Sequence, residues 1–192
     1  MILLHNNLLF SKGSERACYI HPEDNKKVIK VIYHKKGNNN QNNLEFKYYQ
    51  YLSKKDIEYT HITKCYGWVD TNIGKGLVFD RIVNYNGLTS KQLTYFLQNK
   101  LLSNSIEKQL IKELKQYLDK NNILFIDIAT LNVLCQEVED SKYRLVIIDG
   151  LGPKRDNLKF WIYKYSRLYC RYKNYKQWNK FLKLIEKNKN IL

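Results

Sequence analysis

Three short polar side chains interrupt apolar runs in the second half of this sequence. Asp127 and Asn132 are separated by four residues within one apolar segment, and Asp149 directly follows another, Val146–Ile148. Burial of such groups is costly unless they have hydrogen-bond partners or a function. Carboxylate and amide oxygens bind Mg²⁺, and a carboxylate can orient an attacking hydroxyl group. The residue types and their order therefore point to phosphoryl transfer.

Phosphoryl transfer also needs a lysine near the nucleotide phosphates. Lys30 lies within a β-branched run, residues 28–32, that predicts a strand. Its ammonium group is costly to bury unless it reaches a partner, and Glu45 in the next predicted element is a candidate partner. Two simpler interpretations stay open at this point. Lys30 would face solvent from an edge strand, and Glu45 would be an ordinary acidic residue in the first turn of a helix.

The elements that would position these residues fall into two halves. The first half is predicted to contain five strands, at residues 2–10, 17–20, 28–33, 65–69 and 76–79. A loop over 37–43 precedes a helix over 44–55, which has apolar residues at helical spacing. We expect a boundary between the two halves near residues 84–87.

The second half is predicted to be mainly helical around one hairpin. Helices are predicted over 90–102 and 105–120, and Ser105 is the expected N-cap of the second. The apolar face of that helix would be formed by Ile106, Leu110, Leu114 and Tyr117. A hairpin is predicted within 123–150, with its tip at 137–142.

The tail, residues 154–192, combines positive charge with aromatic residues. It holds 12 Lys and Arg, two acidic residues and nine aromatic residues. Its helical stripe would be formed by Trp161, Tyr165, Leu168, Tyr172, Tyr175, Trp178, Leu182 and Ile185. Two interpretations stay open: helices that pack this stripe inward with solvated lysines, or a surface for nucleic acid or an anionic membrane. Tyr163, Tyr169 and Phe181 lie off the stripe and would leave room for a binding face.

Length and composition suit one folded domain or two small lobes. The chain has 192 residues and a net charge of +15, which suggests an anionic partner, although Lys- and Asn-rich composition alone would also produce such a charge. No segment is long and apolar enough for a membrane span, and no signal peptide is recognisable, so a cytoplasmic protein is expected. The four cysteines lie far apart and are expected to be free thiols rather than a disulfide framework or metal cluster.

The order of the polar residues resembles that of the protein kinase superfamily. Within it, three runs resemble the YrbL family, also called PhoP regulatory network proteins. They are the Gly-Ser-Glu-Arg-Ala-Cys-Tyr run that begins at Gly13, the Val-Ile-Lys-Val around Lys30, and the segment 71–79. The resemblance covers residues 8–152 and suggests a bacterial regulatory context.

The resemblance implies a role for each of the residues singled out above. Lys30 would contact the nucleotide phosphates and be held by Glu45. Asp127 would be the catalytic base, and Asn132 and Asp149 would bind Mg²⁺. The residues that would bind ATP are Gly13, Ser14 and Arg16 around the phosphates, and Phe79, Asp80, Arg81 and Ile82 as a hinge beside the adenine.

Several departures from the protein kinase pattern limit this resemblance. The phosphate loop has a single glycine, Gly13, where protein kinases have three. Phe125 and Ile126 replace the His-Arg pair before the base, and Ala129 replaces a lysine common at that position. There is no Ala-Pro-Glu motif, and 42 residues follow Gly150. We therefore expect a small molecule, or the protein itself, rather than a folded protein substrate as the acceptor.

The sequence thus predicts an α+β protein with a protein-kinase-like bilobal fold. The N-lobe, 1–84, would hold a five-stranded antiparallel sheet with one helix, and the shortened helical C-lobe would span 85–192. The expected activity is ATP- and Mg²⁺-dependent phosphoryl transfer to a hydroxyl group. Two alternatives stay open: a non-catalytic regulator that binds nucleotide, and a basic module that binds nucleic acid or a membrane surface through the tail.

Overall fold

A computed structural model describes residues 1–34, 41–152, 162 and 166–190. The chain divides into two compact units: residues 1–55 with 63–81, and residues 56–62 with 82–192. The division after Arg81 comes just ahead of the segment in which the sequence predicts a boundary.

Five antiparallel strands and one α-helix form the described part of the first unit. The strands are β1 (Leu9–Lys12), β2 (Arg16–His21), β3 (Asp24–Ile32), β4 (Cys65–Thr71) and β5 (Gly74–Asp80). Their order in the sheet is β1-β2-β3-β5-β4, and each neighbouring pair is antiparallel. Helix α1 spans Gln41–Leu52. The predicted α+β class and five-stranded antiparallel sheet are therefore confirmed.

The first strand differs from the prediction. The sequence suggested a strand from residue 2, but the strand begins at Leu9, after a short 3-10 turn at Asn6–Leu8. The reason is that Ile2 pairs instead with the β4–β5 turn: its N–H donates to the carbonyl of Asp70 at 2.8 Å, and its carbonyl accepts from the N–H of Asn72 at 3.2 Å.

Alternation along β3 gives the sheet two chemically different faces. One face carries an apolar cluster formed by Leu4, Ile29, Val31 and Val78. Lys30 points to the opposite face, since successive side chains of a strand alternate. That face also carries Phe79, whose ring packs against the ring of Tyr49 on α1, with 5.2 Å between centroids. Helix α1 therefore covers the face on which Lys30 lies.

The second unit combines a small sheet with three described helices. The sheet has the order β6-β7-β8, from Lys91–Gln92, Val133–Glu139 and Lys142–Ile147. The helices are α2 (Leu93–Gln98), α3 (Asn104–Asn121) and α4 (Arg167–Lys189). A 3-10 turn, Thr130–Asn132, leads into β7. The predicted hairpin is present as β7–β8, with a tighter turn than expected.

Two helix predictions in this unit were partly wrong. The helix expected over 90–102 is confined to α2, because Lys91 and Gln92 pair with β7 as a strand. The N-cap of α3 is Ser103 rather than Ser105, since the Ser103 hydroxyl accepts from the N–H of Ile106 at 3.3 Å. The buried face of α3 contains Leu110 and Leu114 as predicted, with Glu107 and Leu118 in place of Ile106 and Tyr117.

Helix α4 has the predicted helical structure, but its buried face is only partly the predicted one. Trp178 and Ile185 of the expected stripe are buried, and so is Phe181, which was expected to lie off the stripe. The buried residues are Cys170, Asn174, Trp178, Phe181 and Ile185. Four members of the expected stripe are exposed: Leu168, Tyr172, Tyr175 and Leu182. The other residues of the predicted tail, 154–161, 163–165 and 191–192, lie outside the described residues. The buried face also includes a polar residue, Asn174, whose contacts are described below.

Among the described residues, no helix combines the length and the apolar character needed to cross a membrane.

The phase of α4 can be tested by two aromatic truncations on the same helix. Phe181 is fully buried, with its ring 5.9 Å from that of Phe125. We expect Phe181→Ala to lower the free energy of unfolding by about 3–5 kcal/mol. Tyr172→Ala should change it by less than about 0.5 kcal/mol, because that side chain is exposed. Urea denaturation followed by circular dichroism measures both, and a larger effect at Tyr172 would contradict the observed phase.

Candidate functional site

The first group of candidate residues is centred on Lys30 in the first unit. Lys30 lies on β3, between β2 and β5, and its side chain is 11% exposed. The edge-strand interpretation is therefore wrong. Its Nζ is 3.0 Å from Oε1 of Glu45, and it lies 4.2 Å from the ring centroid of Phe79. Glu45 is itself buried, and it lies in the second turn of α1, because the helix begins at Gln41. The expected ion pair is present.

A second cation shares the same carboxylate. Nη1 of Arg16 contacts Oε2 of Glu45 and also donates to Oδ1 of Asn42 at 3.1 Å. Nδ2 of Asn42 in turn donates to the main-chain carbonyl of Lys30 at 2.9 Å. These four buried residues join β2, β3 and α1 into one hydrogen-bonded network. Arg16, expected near the phosphates, is thus engaged with Glu45 and Asn42, and its proposed contact with nucleotide stays a prediction.

Asn42 is a site residue that sequence reasoning missed. It belongs to an asparagine-rich run that reads as a loop, yet it is fully buried on α1. The available signal was its position three residues before Glu45, which places both side chains on one face of a helix.

The surroundings of this network have low polarity. Burial raises the pKa of the neighbouring Cys65 thiol to about 11, and the negative charge of Glu45 also raises it. The Cys65 thiol is therefore protonated at neutral pH and is a poor nucleophile. In such surroundings a carboxylate and its cations hold each other strongly, since removal of one partner leaves a buried charge.

The turn between β1 and β2 contains the other predicted phosphate-binding residues. Gly13 and Ser14 are both exposed, and the N–H of Gly13 donates to the carbonyl of Arg16 at 2.8 Å. A Cβ atom on Gly13 would come no closer than 3.6 Å to another atom, the carbonyl oxygen of Arg16. Packing therefore does not require glycine at this position, and the predicted contact of Gly13 with phosphate stays a prediction.

The predicted hinge residues occupy quite different environments. Phe79 is buried within β5, whereas Ile82 belongs to the second unit. The side chain of Asp80 accepts from the N–H of Lys64 at 2.7 Å and from the hydroxyl of Tyr66 at 2.8 Å. The adjacent N–H groups are already used inside the first unit: that of Asp80 by the carbonyl of Lys64, and that of Arg81 by the carbonyl of Lys26. The hinge role of these residues stays a prediction.

The second group of candidates is gathered around one glycine in the second unit. The carbonyl of Gly150 accepts from the N–H groups of Ile126 and Asp127, at 3.1 and 3.0 Å. Nδ2 of Asn132 donates to the carbonyl of Asp127 at 2.9 Å. Asp149, at the end of β8, accepts from the N–H of Gly150 at 2.7 Å through its Oδ1. The structure therefore brings together the three residues that the sequence singled out.

The position of Gly150 explains why an Asp-Gly pair closes this arrangement. Its φ is +86°, a conformation that side-chain-bearing residues rarely adopt. A Cβ atom there would lie 2.5 Å from the carbonyl oxygen of Asp127 and 3.1 Å from Nδ2 of Asn132. Only glycine permits the main chain to approach both residues.

The donor atoms of this group suit a hard cation. Asp127 and Asp149 offer carboxylate oxygens, and Asn132 can offer its Oδ1 because its Nδ2 is directed to a carbonyl. Mg²⁺ usually takes one or two carboxylates and completes its shell with water and phosphate oxygens. Within the described ranges, no three or more His, Cys, Asp and Glu side chains are grouped to hold a metal. The oxygen donors present are of the type that Mg²⁺ binds, and binding of Mg²⁺ at this place stays a prediction.

The segment before Asp127 is held by helix α4. Asn174 donates through Nδ2 to the carbonyl of Ile123 at 2.6 Å and accepts through Oδ1 from the N–H of Phe125 at 3.3 Å. Phe125 itself is buried against the ring of Phe181. Phe125 is thus a core residue. Asn174 was also missed from the sequence, because a polar residue in a lysine-rich helix reads as solvated.

The comparisons with known proteins agree on one family. The model of the family "PhoP regulatory network protein YrbL" matches residues 2–186 of this chain. Two curated relatives, from Escherichia coli (strain K12) and Shigella flexneri, are both named "Uncharacterized protein YrbL". Each is 31% identical to this chain over 185 residues, which is 95% of this chain and 87% of the relative.

The importance of the shared carboxylate can be measured by neutralising it. Glu45→Gln would leave Lys30 and Arg16 buried together without their common counter-charge. We expect the free energy of unfolding to fall by about 3–5 kcal/mol. The matched control is Glu139→Gln, whose carboxylate is 66% exposed and pairs with Lys142 at 2.5 Å, and it should leave stability unchanged. Equal effects in the two variants would contradict the described network.

The close approach at Gly150 can be separated from its backbone conformation. Gly150→Ala and Gly87→Ala both place a Cβ on a residue with positive φ, +86° and +82°. A Cβ on Gly87 would meet nothing within 4 Å, so only backbone strain of about 1–2 kcal/mol is expected there. Gly150→Ala should cost about 1–3 kcal/mol more, because its Cβ collides with the carbonyl of Asp127. Thermal unfolding of the two variants tests this, and equal losses would rule out a tight contact.

Proposed function

This chain belongs to the family of PhoP regulatory network protein YrbL, and we propose that it is an ATP- and Mg²⁺-dependent phosphotransferase that acts on a hydroxyl group. The observation that carries the proposal is the close packing of Gly150 against Asp127 and Asn132, with Asp149 beside it. That packing holds the main chain of three oxygen-donor residues in a fixed arrangement, which phosphoryl transfer requires.

In this proposal the residues of the second unit handle the metal and the acceptor. Asp149 and Asn132 hold Mg²⁺, which neutralises charge on the transferred phosphoryl group when it is bound. Asp127 is exposed, so its carboxylate is accessible to a substrate hydroxyl group, which it orients and from which it accepts the proton. The hydroxyl acceptor is a small molecule or a side chain of the protein itself.

The residues of the first unit handle the nucleotide. Lys30 contacts the phosphates, and Glu45 holds the lysine ammonium group in place. We include a protein-kinase-like fold in the proposal. Its support is that Lys30 lies on the third strand and Glu45 on the following helix, which is how protein kinases place the corresponding pair.

A second candidate function is nucleotide binding without turnover. It is favoured by one observation, the engagement of Arg16 with Glu45 and Asn42, which occupies a side chain expected at the phosphates. A regulator of this kind would bind ATP through the same Lys30 network and would transfer no phosphate.

Two conservative substitutions separate binding from transfer. We expect ATP with Mg²⁺ to stabilise the wild-type protein against unfolding. With labelled ATP, Mg²⁺ and a panel of hydroxyl acceptors, we expect the wild-type protein to transfer label to an acceptor. ATP at a hundredfold over its Kd should add about 2.7 kcal/mol to the free energy of unfolding. Asp149→Asn should lose most of this stabilisation. Asp127→Asn should keep it and lose transfer by a factor of about 10²–10⁴, because it removes the base.

The matched control is Asp140→Asn, which removes the same charge from the exposed turn between β7 and β8. It should behave as wild type in both assays. Binding without transfer in wild type would favour the regulator, and no stabilisation of wild type by ATP with Mg²⁺ would reject both functions.

A further inference from the structure

Helix α4 presents basic and aromatic side chains on the side opposite its buried face. Tyr172 and Tyr175 are 52% and 61% exposed. The adjacent exposed lysines are Lys176, Lys180, Lys183 and Lys187. At 3.6 residues per turn, these six side chains fall within an arc of about 140°. We call these six residues the basic aromatic face.

The positive charge of this face is not cancelled by the rest of the helix. Helix α4 contains eight Lys and Arg residues and a single acidic residue, Glu186. Glu186 is 2.9 Å from Lys189, which lies outside the face and also contacts Glu107 at 2.6 Å. Among the residues that the structure describes, no ion pair neutralises the lysines of the basic aromatic face. The charge of this face therefore suits an anionic partner.

We propose that the basic aromatic face binds single-stranded nucleic acid, with phosphates on the lysines and bases stacked on the tyrosines. From Lys176 to Lys187 the helix rises about 16 Å. That is the length of about five nucleotides at the 3.4 Å spacing of a stacked strand. Proteins that bind single strands have site sizes of about 4–16 nucleotides and combine a positive track with exposed aromatic rings.

The geometry at the start of the face fits one strand. Nζ of Lys176 lies 5.0 Å from the ring centroid of Tyr172 and covers one side of that ring. A phosphate could bind the ammonium group of Lys176 while a base stacks on the other side of the Tyr172 ring. The phosphate and the base would then come from neighbouring nucleotides of one strand. Tyr175, one turn further along the helix, offers the next ring.

An anionic membrane fits this face less well. Helices that lie on a membrane insert their Trp, Phe and Leu side chains into the lipid. In α4, Trp178 and Phe181 face inward and are buried. The exposed leucines nearby are Leu168 and Leu182, which are separated by about 21 Å along the helix and so form no continuous apolar patch. The exposed rings belong to tyrosines, which suit stacking.

Replacing the rings tests the stacking contribution. Fluorescence anisotropy with labelled oligothymidine and oligouridine, longer than the site size, measures the Kd. We expect the double variant Tyr172→Leu/Tyr175→Leu to bind at least about tenfold more weakly, because leucine cannot stack. Tyr172→Phe/Tyr175→Phe keeps the rings and should bind as wild type. A third variant, Lys176→Gln/Lys180→Gln/Lys183→Gln, removes three lysines of the face. Since all these side chains are exposed, thermal unfolding should show that wild type and the three variants are equally folded.

The lysine variant tests the phosphate contacts through their dependence on salt. The slope of log K against log salt should become shallower by about 2, since each phosphate contact to a single strand contributes about 0.7. The matched control is Lys108→Gln/Lys112→Gln/Lys120→Gln on α3, where the lysines are also exposed, and it should keep the wild-type slope.

Three outcomes would overturn the proposal. Equal loss of affinity in the two triple variants would show that only net charge matters. Unchanged affinity in the tyrosine-to-leucine variant would remove the stacking contribution. Binding to vesicles of phosphatidylcholine with phosphatidylserine, but not to the oligonucleotides, would assign the face to a membrane surface instead.

Discussion

The packing of helix α1 on the sheet of the first unit depends on the ion pairs of the Glu45 carboxylate. This carboxylate holds Lys30 from β3 and Arg16 from β2, while Asn42 from the same helix ties Arg16 to the main chain of β3. Two cations in a buried setting would repel each other without it. The same carboxylate therefore fixes helix α1 on the sheet and sets the direction of the lysine, so that folding and the proposed chemistry share one group.

In the second unit, main-chain hydrogen bonds rather than an ion pair hold the candidate residues together. The carbonyl of Gly150 binds two successive N–H groups, and its lack of a side chain lets Asn132 reach the carbonyl of Asp127. This arrangement is built from main-chain groups and from the side chains of Asn132 and Asp149, and Oδ1 of Asp149 accepts from the N–H of Gly150. Each unit thus holds its own group of candidate residues, a cationic lysine in the first and oxygen donors in the second.

Much of the fold could be predicted from the sequence, because it rests on local patterns. The β-branched run around Lys30 predicted its strand, and the position of Glu45 on the next element predicted the ion pair. Prediction failed where polar residues are buried by partners far away in the chain. Asn42 and Asn174 each serve main-chain groups more than ten residues distant, and hydropathy assigns both to solvent. The buried face of α4 was therefore predicted only in part, with Trp178 and Ile185 placed correctly.

Asn174 ties the inner side of helix α4 to the segment that leads to Asp127. Its amide satisfies both a carbonyl and an N–H of the segment that leads to Asp127, so few substitutions at this position would keep those groups paired. Side chains on the opposite side of α4 carry no such obligation. In family members the inner side should thus change only together with the segment it supports, while the outer side should follow the demands of its proposed partner.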